Sequence, residues 1–130
     1  MILVDSTLYI DWLRRRVDFP RLLEPWVRSR SLWLCGVIRV EVIRGILNPK
    51  QRVRVEEFFD LIPDIPTDPG LWTEVTSLAW RLDRKGKVLP LVDLIISAGA
   101  LTVGARVVSL DRHFWEVPGL GCQSELPNIH

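Results

Sequence analysis

Cysteine is scarce in this sequence. Cys35 and Cys122 are the only two, too few for a disulfide framework or a cysteine-based metal site, and they read as free thiols in a reducing compartment. Charge of one sign is lacking as well. Seventeen basic residues oppose sixteen acidic ones, a formal net charge of +1, so no overall field announces a nucleic acid or a membrane surface. Lysine is rare: Lys50, Lys85 and Lys87 stand against fourteen arginines, a bias that suits carboxylate or phosphate recognition and also accompanies GC-rich genomes. The longest apolar run, Val88 to Ala105, contains Pro90 and Asp93 and is too interrupted to span a bilayer. The opening Met1-Ile2-Leu3-Val4-Asp5 has no basic region and no apolar stretch of signal-peptide length. A cytoplasmic protein with no membrane partner is therefore expected. Glycine-rich phosphate loops, nucleophile elbows and internal repeats are also missing.

What remains is 48% hydrophobic and 25% charged over 130 residues, the make-up of one well-packed domain across 1–130. A chain of this size buries roughly two-thirds of its unfolded surface and folds without staples. Short apolar runs at 2–4, 32–35 and 106–110 predict strands, with a weaker one at 121–122. Between them the pattern predicts helices over 7–16, 19–29, 38–47, 51–61, 71–84 and 92–103. Strands alternating with helices imply parallel pairing with helices on both faces, a three-layer α/β/α sandwich around a short central sheet. Such sheets bind ligands beyond the carboxyl ends of their strands.

Two strands run out into an aspartate at that edge: Asp5 follows Ile2-Leu3-Val4, and Asp111 follows Val107-Val108-Ser109-Leu110. Either alone could simply cap a helix or start a turn. Asp93 is harder to explain as a cap. It is the only charge between Val88 and Ala105, and an ionised carboxylate there costs several kcal/mol unless something pairs with it. Glu41 lies in a predicted helix with Gly45 one turn on, leaving space above it; Arg44 offers it a surface ion pair instead. Four carboxylates from four elements would repel one another without a cation. Hard oxygen ligands in an incomplete cage point to Mg²⁺ or Mn²⁺.

Four stretches, in order, resemble a PIN domain. They are Ile2-Leu3-Val4-Asp5-Ser6-Thr7, Val40-Glu41-Val42-Ile43-Arg44-Gly45, the run from Leu89 to Ala100, and Val108-Ser109-Leu110-Asp111-Arg112-His113-Phe114 with Pro118-Gly119-Leu120. Within that family the chain is similar to the small VapC-type toxin ribonucleases of bacterial and archaeal toxin–antitoxin pairs. The resemblance implies that Asp5, Glu41 and Asp93 hold metal, with Asp111 as a fourth, more variable acid. It implies that Thr7 and Ser109 support the cluster or touch phosphate. It further implies an RNA substrate, a small antitoxin protein as partner and a homodimer. Two positions depart from the pattern. Ser97 stands where the family often has alanine, and is expected to hydrogen-bond back toward Asp93. His113 stands where many relatives carry an acid, and is expected at the rim, with a direct metal or phosphate contact as the lesser reading.

Other residues admit plainer readings. Arg14-Arg15-Arg16 at a helix end complements the macrodipole or contacts RNA phosphates. Trp33 and Trp80 are expected in the core. Trp12, Trp26, Trp72 and Trp115 are open to a partner groove or a stacked base, and Trp12, Leu13, Leu22, Leu23 and Trp26 are expected to line a partner groove unless they pack on the 51–61 helix. His130 has no evident role. The function expected is metal-dependent RNA hydrolysis with a water nucleophile. The alternatives are a housekeeping RNA-processing nuclease and a catalytically silent PIN-like binding module. A phosphoacceptor receiver domain fails, because Val4 precedes Asp5 where an acid is needed and no lysine follows Lys87.

Overall fold

The computed structural model describes residues 1–128, so His130 lies outside the described residues. Strand β1 (Ile2–Val4) leads into α1 (Ser6–Arg14), two short helices α2 (Phe19–Leu22) and α3 (Glu24–Arg28), and β2 (Leu32–Trp33). Then come α4 (Gly36–Ile43), α5 (Pro49–Asp60), α6 (Pro69–Arg84), α7 (Leu91–Val103) and β3 (Arg106–Val108). A 3-10 turn (Arg112–Glu116) precedes β4 (Cys122–Gln123). The strands form one sheet in the order β2-β1-β3-β4, with every pairing parallel. Every residue of β1 is buried, as are Val107 and Val108 of β3, as a sheet flanked by helices requires. The α/β sandwich read from the sequence is the fold observed.

Boundaries moved where backbone chemistry overrides periodicity. The predicted 19–29 helix is two helices, because Pro25 has no N–H to donate and its ring disfavours the preceding turn. The 38–47 helix begins at Gly36 and stops at Ile43, so Gly45 lies past its end in a turn closed by Gly45 N–H to Val42 O, not above Glu41. The first strand after α3 is cut to two residues, since Leu34 N–H turns to Pro63 O. Past Val108, Ser109 N–H still reaches Gln123 O, but the two amides beyond it leave the sheet for side chains: Leu110 N–H donates to Thr7 Oγ1 and Asp111 N–H to Ser109 Oγ. The site itself ends the strand.

The tryptophans are redistributed. Trp80 is exposed, with the Arg84 guanidinium 4.7 Å from its ring centroid, and Trp33 is only half-buried. Trp12 and Trp26 are in the core instead. Trp12 stacks on Phe19 and meets Tyr9 edge-on. Tyr9 and Phe19 in turn pack on Phe59 and Phe58 of α5, so the expected partner groove is largely filled by the chain itself. Leu23 is fully buried as well, which leaves Leu22 as the exposed apolar residue of that set. An open cleft of about 960 Å³ is lined in part by Leu13, Val17, Phe19, Val55 and Phe58. The arginine run is exposed, with Arg15 paired to Asp11 at 2.9 Å. Among the described residues no helix is long and apolar enough to cross a membrane.

Candidate active site

The parallel pairing of β1 with β3 continues one step past β1: Asp5 N–H donates to Val108 O, at the end of β3, at 2.9 Å. That register brings the two strand ends together. Asp5 is buried, yet its carboxylate is well supplied with donors. Its Oδ2 accepts from Ser109 Oγ at 2.8 Å and from Thr7 Oγ1 at 2.9 Å. Each hydroxyl also accepts a backbone N–H, Thr7 from Leu110 across the junction and Ser109 from Asp111 two residues on. Both hydroxyl protons are therefore committed to Asp5. The 3.2 Å approach of Thr7 Oγ1 to Ser109 Oγ is a proximity of two donors to one oxygen. Asp5 Oδ1 keeps only a long 3.5 Å contact with Ser6 Oγ.

Ser6 is nearer to Glu41, donating to its Oε1 at 3.0 Å. This buried serine, directly after the strand-end acid, ties α4 to β1 and is a residue sequence reasoning passed over. Burial raises the Glu41 pKa, the Ser6 bond opposes it, the charges of Asp5 and Asp93 push further upward, and the Arg44 charge pulls back. Asp93, in the first turn of α7, is likewise held above the ordinary carboxylate range. Burial is the main cause, the His113 hydrogen bond opposes it, and Asp111 and Asp5 add to the rise. Asp111 caps the 3-10 turn by accepting His113 N–H at 3.0 Å.

Asp5, Glu41, Asp93 and Asp111 thus feel one another electrostatically. Among the described residues no lysine or arginine pairs with any of them. A set of hard oxygen donors with mutual repulsion and no lysine or arginine ion pair fits a divalent cation. One expectation fails and one is sharpened. His113 is exposed at the rim, and from there its Nδ1 lies 2.7 Å from Asp93 Oδ2 and 3.3 Å from Asp111 Oδ1, with its pKa raised chiefly by the Asp93 bond. Ser97 makes no bond to Asp93; its hydroxyl is buried and has no partner among the described residues. One turn of helix puts it beside Asp93 in sequence projection, but the packed face of α7 is apolar.

Residues 2–120 match the family model of the PIN domain. The chain belongs to the PIN-domain family. Ribonuclease VapC6 of Mycobacterium tuberculosis is 31% identical over 97 residues, covering 72% of this chain and 76% of that protein. Among solved structures, DNA-bound VapBC from Salmonella typhimurium aligns with a TM-score of 0.75 at 21% identity, over 95% of this chain and 98% of that one. VapBC2 from Rickettsia felis, bound to a promoter DNA fragment, aligns at 0.74 and 18% identity over the same shares. At such identities these structures speak for the PIN fold. His113 departs from the acidic residue expected there by resemblance, and the signal that could have found its role was its place two residues after the strand-end Asp111.

Proposed function

We propose that this PIN-domain chain is a metal-dependent endoribonuclease, one nuclease unit over 1–130, acting as the toxin of a toxin–antitoxin pair. The observation that carries the reading is the cluster of four carboxylates beyond the parallel sheet, none of them in a salt bridge with lysine or arginine among the described residues. The relative named as a ribonuclease supports the activity, and the VapBC complexes support a small antitoxin protein as partner. A cytoplasmic homodimer belongs to the same reading.

Asp5, Glu41 and Asp93 would hold Mg²⁺ or Mn²⁺, with Asp111 as a fourth acid. When bound, such an ion supplies an activated water and neutralises charge building on the phosphate and leaving oxygen. The chain's own part is positional. Thr7 and Ser109 pin Asp5 Oδ2, which leaves Oδ1 presented, and Ser6 pins Glu41 Oε1, which leaves Oε2 presented. Arg112 and Trp115, both exposed on the 3-10 turn that Asp111 opens, share a face at a spacing of three residues. They suit a phosphate and a stacked base of single-stranded RNA.

Because water and not the 2′-hydroxyl attacks, the products carry 5′-phosphate and 3′-hydroxyl ends. The test is incubation of the purified chain with RNA in Mn²⁺, in Mg²⁺ and in EDTA, followed by analysis of the new ends. Cleavage with either metal, none in EDTA, and 5′-phosphate ends are expected. Undiminished cleavage in EDTA, or 2′,3′-cyclic phosphate ends, contradicts the reading.

A further inference from the structure

His113 brings a nitrogen to a site otherwise made of oxygens. Ligand atoms of Asp93, Asp111 and His113 all lie within 4.8 Å of one another. The nearest approaches of His113 Nδ1 are 2.7 Å to Asp93 and 3.3 Å to Asp111. In a six-coordinate ion with bonds of about 2.1 Å, neighbouring ligand atoms stand about 3.0 Å apart. The two observed spacings bracket that value, so His113 Nδ1 stands to each carboxylate as an adjacent ligand would.

The placement is built into the fold. Asp111 Oδ1 accepts His113 N–H at 3.0 Å, and the next residue, Phe114, is fully buried and anchors the 3-10 turn. Asp93 comes from α7, which packs against the same turn. Three residues from two elements are therefore fixed relative to one another by backbone.

We propose that His113 is a metal ligand through Nδ1, completing an Asp93–Asp111–His113 face that favours a borderline ion such as Mn²⁺ or Co²⁺ over Mg²⁺. The inference rests on the metal reading above and deepens it. Carboxylate and water ligands suit Mg²⁺, whereas an imidazole adds affinity that grows along the series from manganese through cobalt to nickel. The ligand form is the neutral imidazole, with its proton on Nε2. A histidine that only steadied Asp93 by a hydrogen bond would alter all ions alike.

The experiment uses the tag-free full chain, because His113 and His130 are its only histidines. Pulsed electron paramagnetic resonance of bound Mn²⁺ reads nitrogen coupling directly, and calorimetry gives Kd for Co²⁺ and Mg²⁺. The wild type and His130→Gln should show imidazole nitrogen coupling, and His113→Asn should lose it. Co²⁺ affinity should fall about tenfold or more in His113→Asn, with Mg²⁺ affinity nearly unchanged. His113→Asp, which restores an oxygen, should shift preference toward Mg²⁺. Nitrogen coupling that persists in His113→Asn, or equal losses for both ions, overturns the proposal. Asp93→Asn separates the two levels. If it binds all ions like the wild type, the metal reading itself fails; if it is impaired while His113→Asn is unaltered, only the His113 assignment fails.

Discussion

Replacing Ser109 by alanine deletes one oxygen with two bonding duties. Ser109 Oγ is fully buried, donates to Asp5 Oδ2 at 2.8 Å and accepts Asp111 N–H at 2.9 Å. A hydrogen bond to a charged acceptor is worth about 1.5–3 kcal/mol, and a neutral amide bond about 0.5–1.5 kcal/mol. Asp111 is only half-buried, so water recovers part of the second loss. Thr7 still donates to Asp5, so the carboxylate is weakened and not abandoned. The expected loss is about 2–4 kcal/mol, a large share of the roughly 5–15 kcal/mol that holds a domain folded. Urea denaturation in EDTA measures it as a lower midpoint at unchanged slope. Mn²⁺ affinity should fall about 10–100-fold, because Asp5 is no longer held in orientation. Thr7→Val removes the other hydroxyl from the same oxygen. The double variant should therefore depart from additivity by about 0.5 kcal/mol or more. A stability change below about 0.5 kcal/mol for Ser109→Ala, with the slope intact, would refute this account of the site.

Three further outcomes follow from the same geometry. Glu41 and Asp93 both have raised pKa values, so their favourable contribution in the metal-free protein is present below the ordinary carboxyl range and lost as pH rises through the raised values. Asp93→Asn should thus be more stable than the wild type at about pH 7 in EDTA, the advantage shrinking toward about pH 4; an advantage that grows in acid would reverse the sign. Asp111 is more exposed than Asp93, at 31% against 13% of the side chain, and asparagine can still cap the 3-10 turn. Asp111→Asn should keep measurable RNA cleavage at high Mn²⁺, and complete inactivity at every Mn²⁺ concentration would contradict that ranking. The Tyr9 hydroxyl is buried without a partner among the described residues, and burial pushes its pKa far above the ordinary phenol value. Tyr9→Phe keeps the ring contacts with Trp12, Phe19 and Phe59 and should gain about 1 kcal/mol of stability; a loss of that size would mean that the hydroxyl has a partner.

The sheet was legible because strand cores are written as unbroken apolar runs, and Asp5 and Asp111 because a charge directly ending such a run can only sit at the sheet edge. Asp93 stood out by contrast with its surroundings. Relationships across the chain were not legible. Thr7 and Ser109 are 102 residues apart, and nothing in either segment says that both hydroxyls serve one carboxylate oxygen. The capture of the Leu110 and Asp111 amides, which shortens β3, follows from that same convergence. His113 reads locally as an exposed turn residue, and its partner Asp93 arrives from another helix. Tryptophan placement failed for a related reason. Trp80 and Trp12 both lie on amphipathic helices, and only the arrival of Phe58 and Phe59 from α5 decides that the early helices, not α6, bury their indole.

Whether the acid cluster performs metal-dependent RNA hydrolysis is decided by Asp93→Asn. The replacement keeps the shape of the side chain and relieves repulsion, so the fold should remain intact by circular dichroism and melting. Single-turnover cleavage of one RNA by wild type and variant, at saturating Mn²⁺ and in EDTA, is the measurement. The account predicts a loss on the order of a thousandfold for the folded variant and no cleavage by either protein in EDTA. Wild-type rates from Asp93→Asn, or full cleavage in EDTA, would contradict it.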